Sequence, residues 1–89
     1  MNAQYHNLME DIVLQHIDSM LAADKGCCCA VCRADVIALT LNHLPPRYVV
    51  SDKGRMLAKL GSYESQFRAD VVAAMSEAIK LVRQNPRHG

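Results

Sequence analysis

Leu8-Met9-Glu10-Asp11-Ile12-Val13-Leu14-Gln15-His16-Ile17-Asp18-Ser19-Met20-Leu21 decides the fold class. The pairs Leu8/Met9, Ile12/Val13, His16/Ile17 and Met20/Leu21 recur every three to four residues and leave Glu10, Asp11, Gln15 and Asp18 for the opposite face. That spacing predicts an amphipathic helix over about Ala3 to Ala23. It is expected to stop near Asp24, Lys25 and Gly26, where glycine can take the left-handed conformation of a helix C-cap. Beyond the cysteines that follow, a second helix should run from about Cys29 or Cys32 to His43, with Val36, Leu39 and His43 on one row and Ile37, Leu41 and Leu44 on another. Pro45 and Pro46 end it, because proline lacks a donor and restricts its predecessor.

Tyr48, Val49 and Val50 read as a short extended connector, since three residues without a second candidate strand do not make a stable sheet. Ser51 and Asp52 offer an N-cap and an acidic first turn. A helix from about Asp52 to Leu60 carries Met56, Leu57 and Leu60 on one side, and Gly61-Ser62 predicts a break. A last helix from about Ser62 to Gln84 places Phe67, Val71, Ala74/Met75, Ala78 and Val82 on one stripe, and Asn85-Pro86 terminates it. The expected architecture is a single all-α domain spanning residues 1–89: a small bundle of four to five helices with a cysteine-rich metal-binding loop between the first two.

Eighty-nine residues, 51% of them apolar but only four of them aromatic and none Trp, bury a modest core built from aliphatic and Met side chains. Such a chain gains stability from a metal, a disulfide or a partner subunit. A formal charge of +1, with no long like-charge block, does not indicate broad binding to a nucleic acid polymer or a membrane surface. Met1 to Met20 has neither a basic run nor an uninterrupted apolar h-region, and no stretch reaches membrane-spanning length. A cytoplasmic location follows as the expectation, and there clustered thiols point to metal or redox chemistry more than to disulfides.

Gly26-Cys27-Cys28-Cys29-Ala30-Val31-Cys32 contains Cys29-x-x-Cys32, the spacing by which two thiolates reach one ion from a turn that opens a helix. Cys27 adds a third. Zinc takes four ligands in a tetrahedron, with Zn to S distances of about 2.3 Å. Helix N-terminal amides stabilise thiolates in the first turn. Four thiolates leave the site more negative than three with a neutral histidine, so His88, just past the last helix, is a candidate fourth ligand, with Cys28 as the alternative. His43 lies a helix length away, and His6, His16 and His43 read as surface or partly buried side chains. Buried or free thiols, disulfides, a redox motif and an iron-sulfur cluster are the competing readings. A redox motif lacks its strand context, and a cluster lacks a second cysteine group.

Cys27-x-Cys29-x-x-Cys32-Arg33-Ala34-Asp35-Val36-Ile37-Ala38-Leu39-x-Leu41-Asn42-x-Leu44-Pro45-Pro46-x-Tyr48-Val49-Val50 resembles the late competence development protein ComFB family. The similarity continues through Phe67-Arg68-Ala69-Asp70-Val71 to Asn85-Pro86-Arg87-His88. The resemblance implies an all-α fold, a homodimer and a zinc bound by cysteine at Cys27, Cys29 and Cys32, with Cys28 an addition to the pattern. Some relatives have a cysteine where this chain has His88. The family has no established catalytic activity, and some members are receptors for cyclic dinucleotides.

The residues agree with the absence of catalysis: there is no HExxH helix, phosphate-binding glycine loop or nucleophile elbow, and Asp35 reads as a first-turn acid or an anchor for the metal loop. Arg33, Arg47, Arg55 and Arg68, with Tyr48 as a flat surface, are the candidates for cyclic di-GMP or cyclic di-AMP, because guanidinium planes stack on purines and grip phosphates. The competing reading is a structural or protein-interaction adaptor, linked to competence, with no small ligand and an unidentified downstream partner. A homodimer is expected through the stripes of the first and last helices.

Overall fold

The Leu8 stretch forms helix α1, Leu8–Asp24, and it starts later than its periodicity suggests because the residues before it are a strand. A computed structural model describes residues 4–26, 28–51 and 53–85, and the side chains of these outside 51–60. In chain order the elements are β1 (Gln4–Asn7), α1, α2 (Ala30–Asn42), β2 (Tyr48–Ser51) and α3 (Lys53–Gln84).

Two expectations are corrected here. The described chain has three helices, not four or five, and the Tyr48 segment is not a lone connector: it pairs antiparallel with β1, Tyr5 opposite Val50 and Asn7 opposite Tyr48. The helical period expected from about Ala3 takes in Gln4–Asn7, the strand that partners β2. The ribbon lasts because Asn7 ties it to α1. Its side-chain oxygen accepts the Met9 N–H at 3.2 Å, capping α1, and the Arg47 N–H at 2.9 Å, while the Leu8 N–H donates to the Arg47 carbonyl at 2.7 Å.

Gly61 and Ser62 do not break the last helix, which runs unbroken for 32 residues. One helical glycine costs only about 1 kcal/mol, less than the surrounding turns supply, and nothing crowds Gly61 to force a kink. α3 is the longest element of a molecule that extends 45 Å in its greatest dimension.

The core lies where the three helices meet. Leu8, Ile12, Val13, Ile17 and Leu21 of α1 face Val71, Met75, Ala78 and Val82 of α3, all buried. From α2 the inward row is Cys32, Val36 and Thr40, spaced four apart, with Leu44 beyond. Thr40 is tolerated there because its hydroxyl donates to the Val36 carbonyl at 2.7 Å. Each fully buried Leu or Ile contributes about 1.5 to 3 kcal/mol. The stripes expected to cover a second subunit therefore cover each other inside one chain. Among the described side chains, the large apolar ones left exposed are elsewhere: Tyr5, Tyr48 and Val50 on the ribbon, with Leu14, Val31 and Leu81 scattered on the helices.

Candidate functional site

At one end of the bundle the chain passes from α1 to α2 through the cysteine loop. Lys25, not Gly26, is the left-handed C-cap of α1 (φ 60°, ψ 20°), and its N–H donates to the Ala22 carbonyl at 3.3 Å. Cys29 is the N-cap of α2, its sulfur accepting the Cys32 N–H at 3.4 Å, so these two thiols lie on the first turn of a helix where amide dipoles favour the thiolate. Cys32 is buried, Cys29 half-buried, and Cys28 exposed, its thiol donating to the Gly26 carbonyl at 3.6 Å. Asp35 lies in the second turn of α2, so it is not a first-turn acid.

Arg83, from the last turn of α3, reaches this loop. Its Nε donates to Asp24 Oδ2 at 2.6 Å, and its guanidinium fills the space over Gly26 where a Cβ would sit. Asp24 above all, then the charges of Cys28 and Cys32, push the Arg83 pKa up. Two of the expected ligands, Cys27 and His88, lie outside the described residues. Among the described residues no three His, Cys, Asp or Glu side chains converge on a metal position. The described part of the loop supplies two thiols, Cys29 and Cys32, on one helix N-terminus, fewer donors than the four that zinc takes.

The arginines named as ligand contacts do not form one groove. Arg33 is held by Asp18 of α1, Nε to Oδ1 at 2.9 Å and a second nitrogen to Oδ2 at 3.3 Å. That hydrogen bond raises the Arg33 pKa and lowers that of Asp18. Arg68 donates to both oxygens of Glu64, at 2.7 and 2.8 Å, while His16 of α1 sits 2.8 Å from the same carboxylate, clamping α1 to α3. The Arg68 hydrogen bond and then the His16 one pull the Glu64 pKa down to about 2. His6 lies 3.0 Å from Asp11, an ion-pair distance out of line for a hydrogen bond. The Arg55 side chain lies outside those described.

Arg47 is placed differently. Its backbone is fixed by Asn7 and Leu8, and its guanidinium carbon lies 4.5 Å from the centre of the Phe67 ring, with no carboxylate partner among the described residues. The pair walls a cleft of about 590 Å³. Met9, Leu44, Pro45, Ala73 and Ala74 line its apolar part, and His43, Asp70 and Glu77 supply polar groups. That size lies within the range of small-molecule sites, roughly 300 to 1,000 Å³. Tyr48 points away on the ribbon's outer face, its ring 6.3 Å from that of Tyr5. Phe67 is assigned by its spacing to the apolar stripe of the last helix, and Asp70 has no role assigned by spacing, so neither stands out as a site residue. Their place in the Phe67-Arg68-Ala69-Asp70-Val71 segment, part of the family resemblance, is the available signal.

The comparisons with known proteins agree with one another. A family model described as late competence development protein ComFB matches residues 6–86. The competence protein ComFB of Bacillus subtilis strain 168 is 28% identical over 79 residues, 89% of this chain and 78% of that protein. The solved structure of the late competence protein ComFB from Bacillus subtilis superposes with a TM-score of 0.76 at 25% identity, covering 93% of this chain and 92% of that one.

Proposed function

The chain belongs to the late competence development protein ComFB family, and from that premise we propose that it is a non-enzymatic regulatory protein that holds zinc in its cysteine loop and receives a cyclic dinucleotide in the Arg47 cleft. One observation carries the ligand half of this reading. Of the described arginines Arg33, Arg68 and Arg83 are each bound to a carboxylate, whereas Arg47 lies open over Phe67 at the mouth of the cleft.

The chemistry follows from those groups. The planar Arg47 guanidinium grips a phosphate through paired N–H donors or stacks on a base, and Phe67 extends the stacking surface. Asp70, exposed and without an ion-pair partner among the described residues, accepts the two N–H donors on one edge of guanine, which favours cyclic di-GMP over cyclic di-AMP. A thermal-shift assay tests this. A ligand at about 100 times its Kd should raise the melting temperature by roughly 10 °C or more, and Arg47→Ala should abolish the shift. No shift with either nucleotide would refute it.

Zinc bound by Cys27, Cys29, Cys32 and His88 or Cys28 would be structural, supplying loop rigidity and no reaction. The protein should purify with about one zinc per chain, and Cys29→Ser should lower metal content and thermal stability together. Full stability without metal would contradict that part.

The second reading, an interaction adaptor, is favoured by the ribbon. Tyr5, Tyr48 and Val50 are 77%, 64% and 72% exposed on four-residue strands that carry no Asp, Glu, Lys or Arg, an apolar face suited to a homodimer contact or to a downstream protein. Loss of self-association on Tyr48→Asp, with no response to nucleotides, would select this reading. No described helix is long and apolar enough to cross a membrane.

A further inference from the structure

We propose that Asn7 is the positioning residue of the Arg47 cleft: its single side-chain oxygen both caps α1 and grips the Arg47 backbone, and so sets where the open guanidinium stands over Phe67. This role for Asn7 rests on the nucleotide site proposed above and deepens it.

The need for such a tie begins in the sequence. Arg47 follows Pro45 and Pro46, neither of which has a backbone N–H. Its own N–H is therefore the first main-chain donor after Leu44 that can hold this turn. The arginine lies between α2 and β2, and the strand pairing starts only at Tyr48, opposite Asn7. Two contacts fix its backbone, and both come from the junction of β1 with α1. The Arg47 N–H donates to Asn7 Oδ1 at 2.9 Å across forty residues of sequence, and the Arg47 carbonyl accepts the Leu8 N–H at 2.7 Å.

The same oxygen has a second role. Asn7 Oδ1 accepts the Met9 N–H at 3.2 Å as the N-cap of α1, so both lone pairs of the amide oxygen are used. Met9 and Arg47 both line the cleft. Part of its apolar lining and its unneutralised cation are thus set from one atom, and the start of α1 cannot shift without the turn that follows α2. A cation gains from an aromatic face only within about 6 Å of the ring centre. The guanidinium carbon stands at 4.5 Å, which leaves little slack.

The residue type fits the role. Asp and Ser cap a helix about as well as Asn does. Asp, however, would set a carboxylate beside Arg47 and oppose an incoming phosphate. Ser carries its oxygen one bond closer to its own backbone. Asparagine holds the turn with a neutral oxygen at longer reach, and leaves the charge of the arginine for an anion.

Asn7→Ser separates the two roles, because serine retains the cap and gives up the reach to Arg47. Its melting temperature should stay within about 3 °C of the wild type, while hydrogen exchange at the Arg47 amide should quicken about tenfold or more. Affinity for cyclic di-GMP, measured by calorimetric titration, should fall about three- to tenfold, the range that ordering one long side chain on binding costs. Adding Asn7→Ser to Arg47→Ala should leave affinity where Arg47→Ala alone puts it, since Asn7 acts through that guanidinium. A cap with a merely structural role would instead give losses that follow the melting temperature and multiply in the double variant. Wild-type affinity in Asn7→Ser, unchanged exchange at the Arg47 amide, or multiplying losses would overturn the inference alone. A wild type that binds no cyclic di-GMP would overturn the nucleotide reading and this inference together.

Discussion

α3 meets an arginine at each end of its packed stretch, and the two are used in opposite ways. Near its C-terminus its own Arg83 is bound to Asp24, packed over Gly26 and largely withdrawn from solvent. Near Phe67 the approaching arginine is Arg47, whose backbone is pinned by Asn7 and Leu8 while its guanidinium lies over an aromatic face in the wall of a cleft, with no carboxylate partner among the described residues. A cation neutralised by a built-in carboxylate shapes the protein. One whose position is fixed through its backbone, with no carboxylate partner among the described residues, is the one for which a ligand contact is proposed.

Both ends depend on the stripe between them, so the largest expected effect comes from breaking it. Val71 is fully buried against α1, and Val71→Asp places an unpaired charge there at a cost on the order of 4 kcal/mol. Chains of this length have a total stability of about 4 to 13 kcal/mol. Circular dichroism should show an unfolded or strongly destabilised chain, in which neither end retains its contacts. A melting temperature within a few degrees of the wild type would mean that α3 packs differently from the arrangement described.

A smaller effect distinguishes the ends by pH. Glu64, on the Phe67 side, titrates at about 2 when folded, because Arg68 and then His16 donate to it, against 4.5 ordinarily. A lowered folded pKa contributes stability that is present above the ordinary value and is lost as pH falls through the folded one. Denaturation midpoints should therefore decline between about pH 4.5 and pH 2, and Glu64→Gln should flatten that decline. An identical acid profile in the variant would show that the clamp between α1 and α3 contributes nothing.

The sequence disclosed the parts of the fold with long, strong periods. Leu8 through Leu21 and Val71 through Val82 carry their apolar residues at helical spacing over three or more turns, and they form the core in the way that spacing implies. The ribbon was hidden because each strand has four residues and its partner lies more than forty positions away. The inward row of α2 was missed because Cys32 and Thr40 do not read as apolar, although a thiol packs well and a hydroxyl bonded to Val36 satisfies itself. The cysteine loop was legible from Cys29-x-x-Cys32, whose first thiol caps α2. The arginines were not. Arg33, Arg47 and Arg68 are equivalent in sequence, and only the fold decides that Asp18 and Glu64 take two of them and leave the third over Phe67.

That difference among arginines is the central claim, and calorimetric titration with cyclic di-GMP tests it most directly. The wild type should bind saturably, Arg47→Ala should lose about tenfold or more in affinity, as expected for removal of a charge-assisted hydrogen-bond donor, and Arg33→Ala, which removes a surface ion pair, should bind like the wild type. Equal losses in the two variants, or no binding by the wild type, would contradict the account.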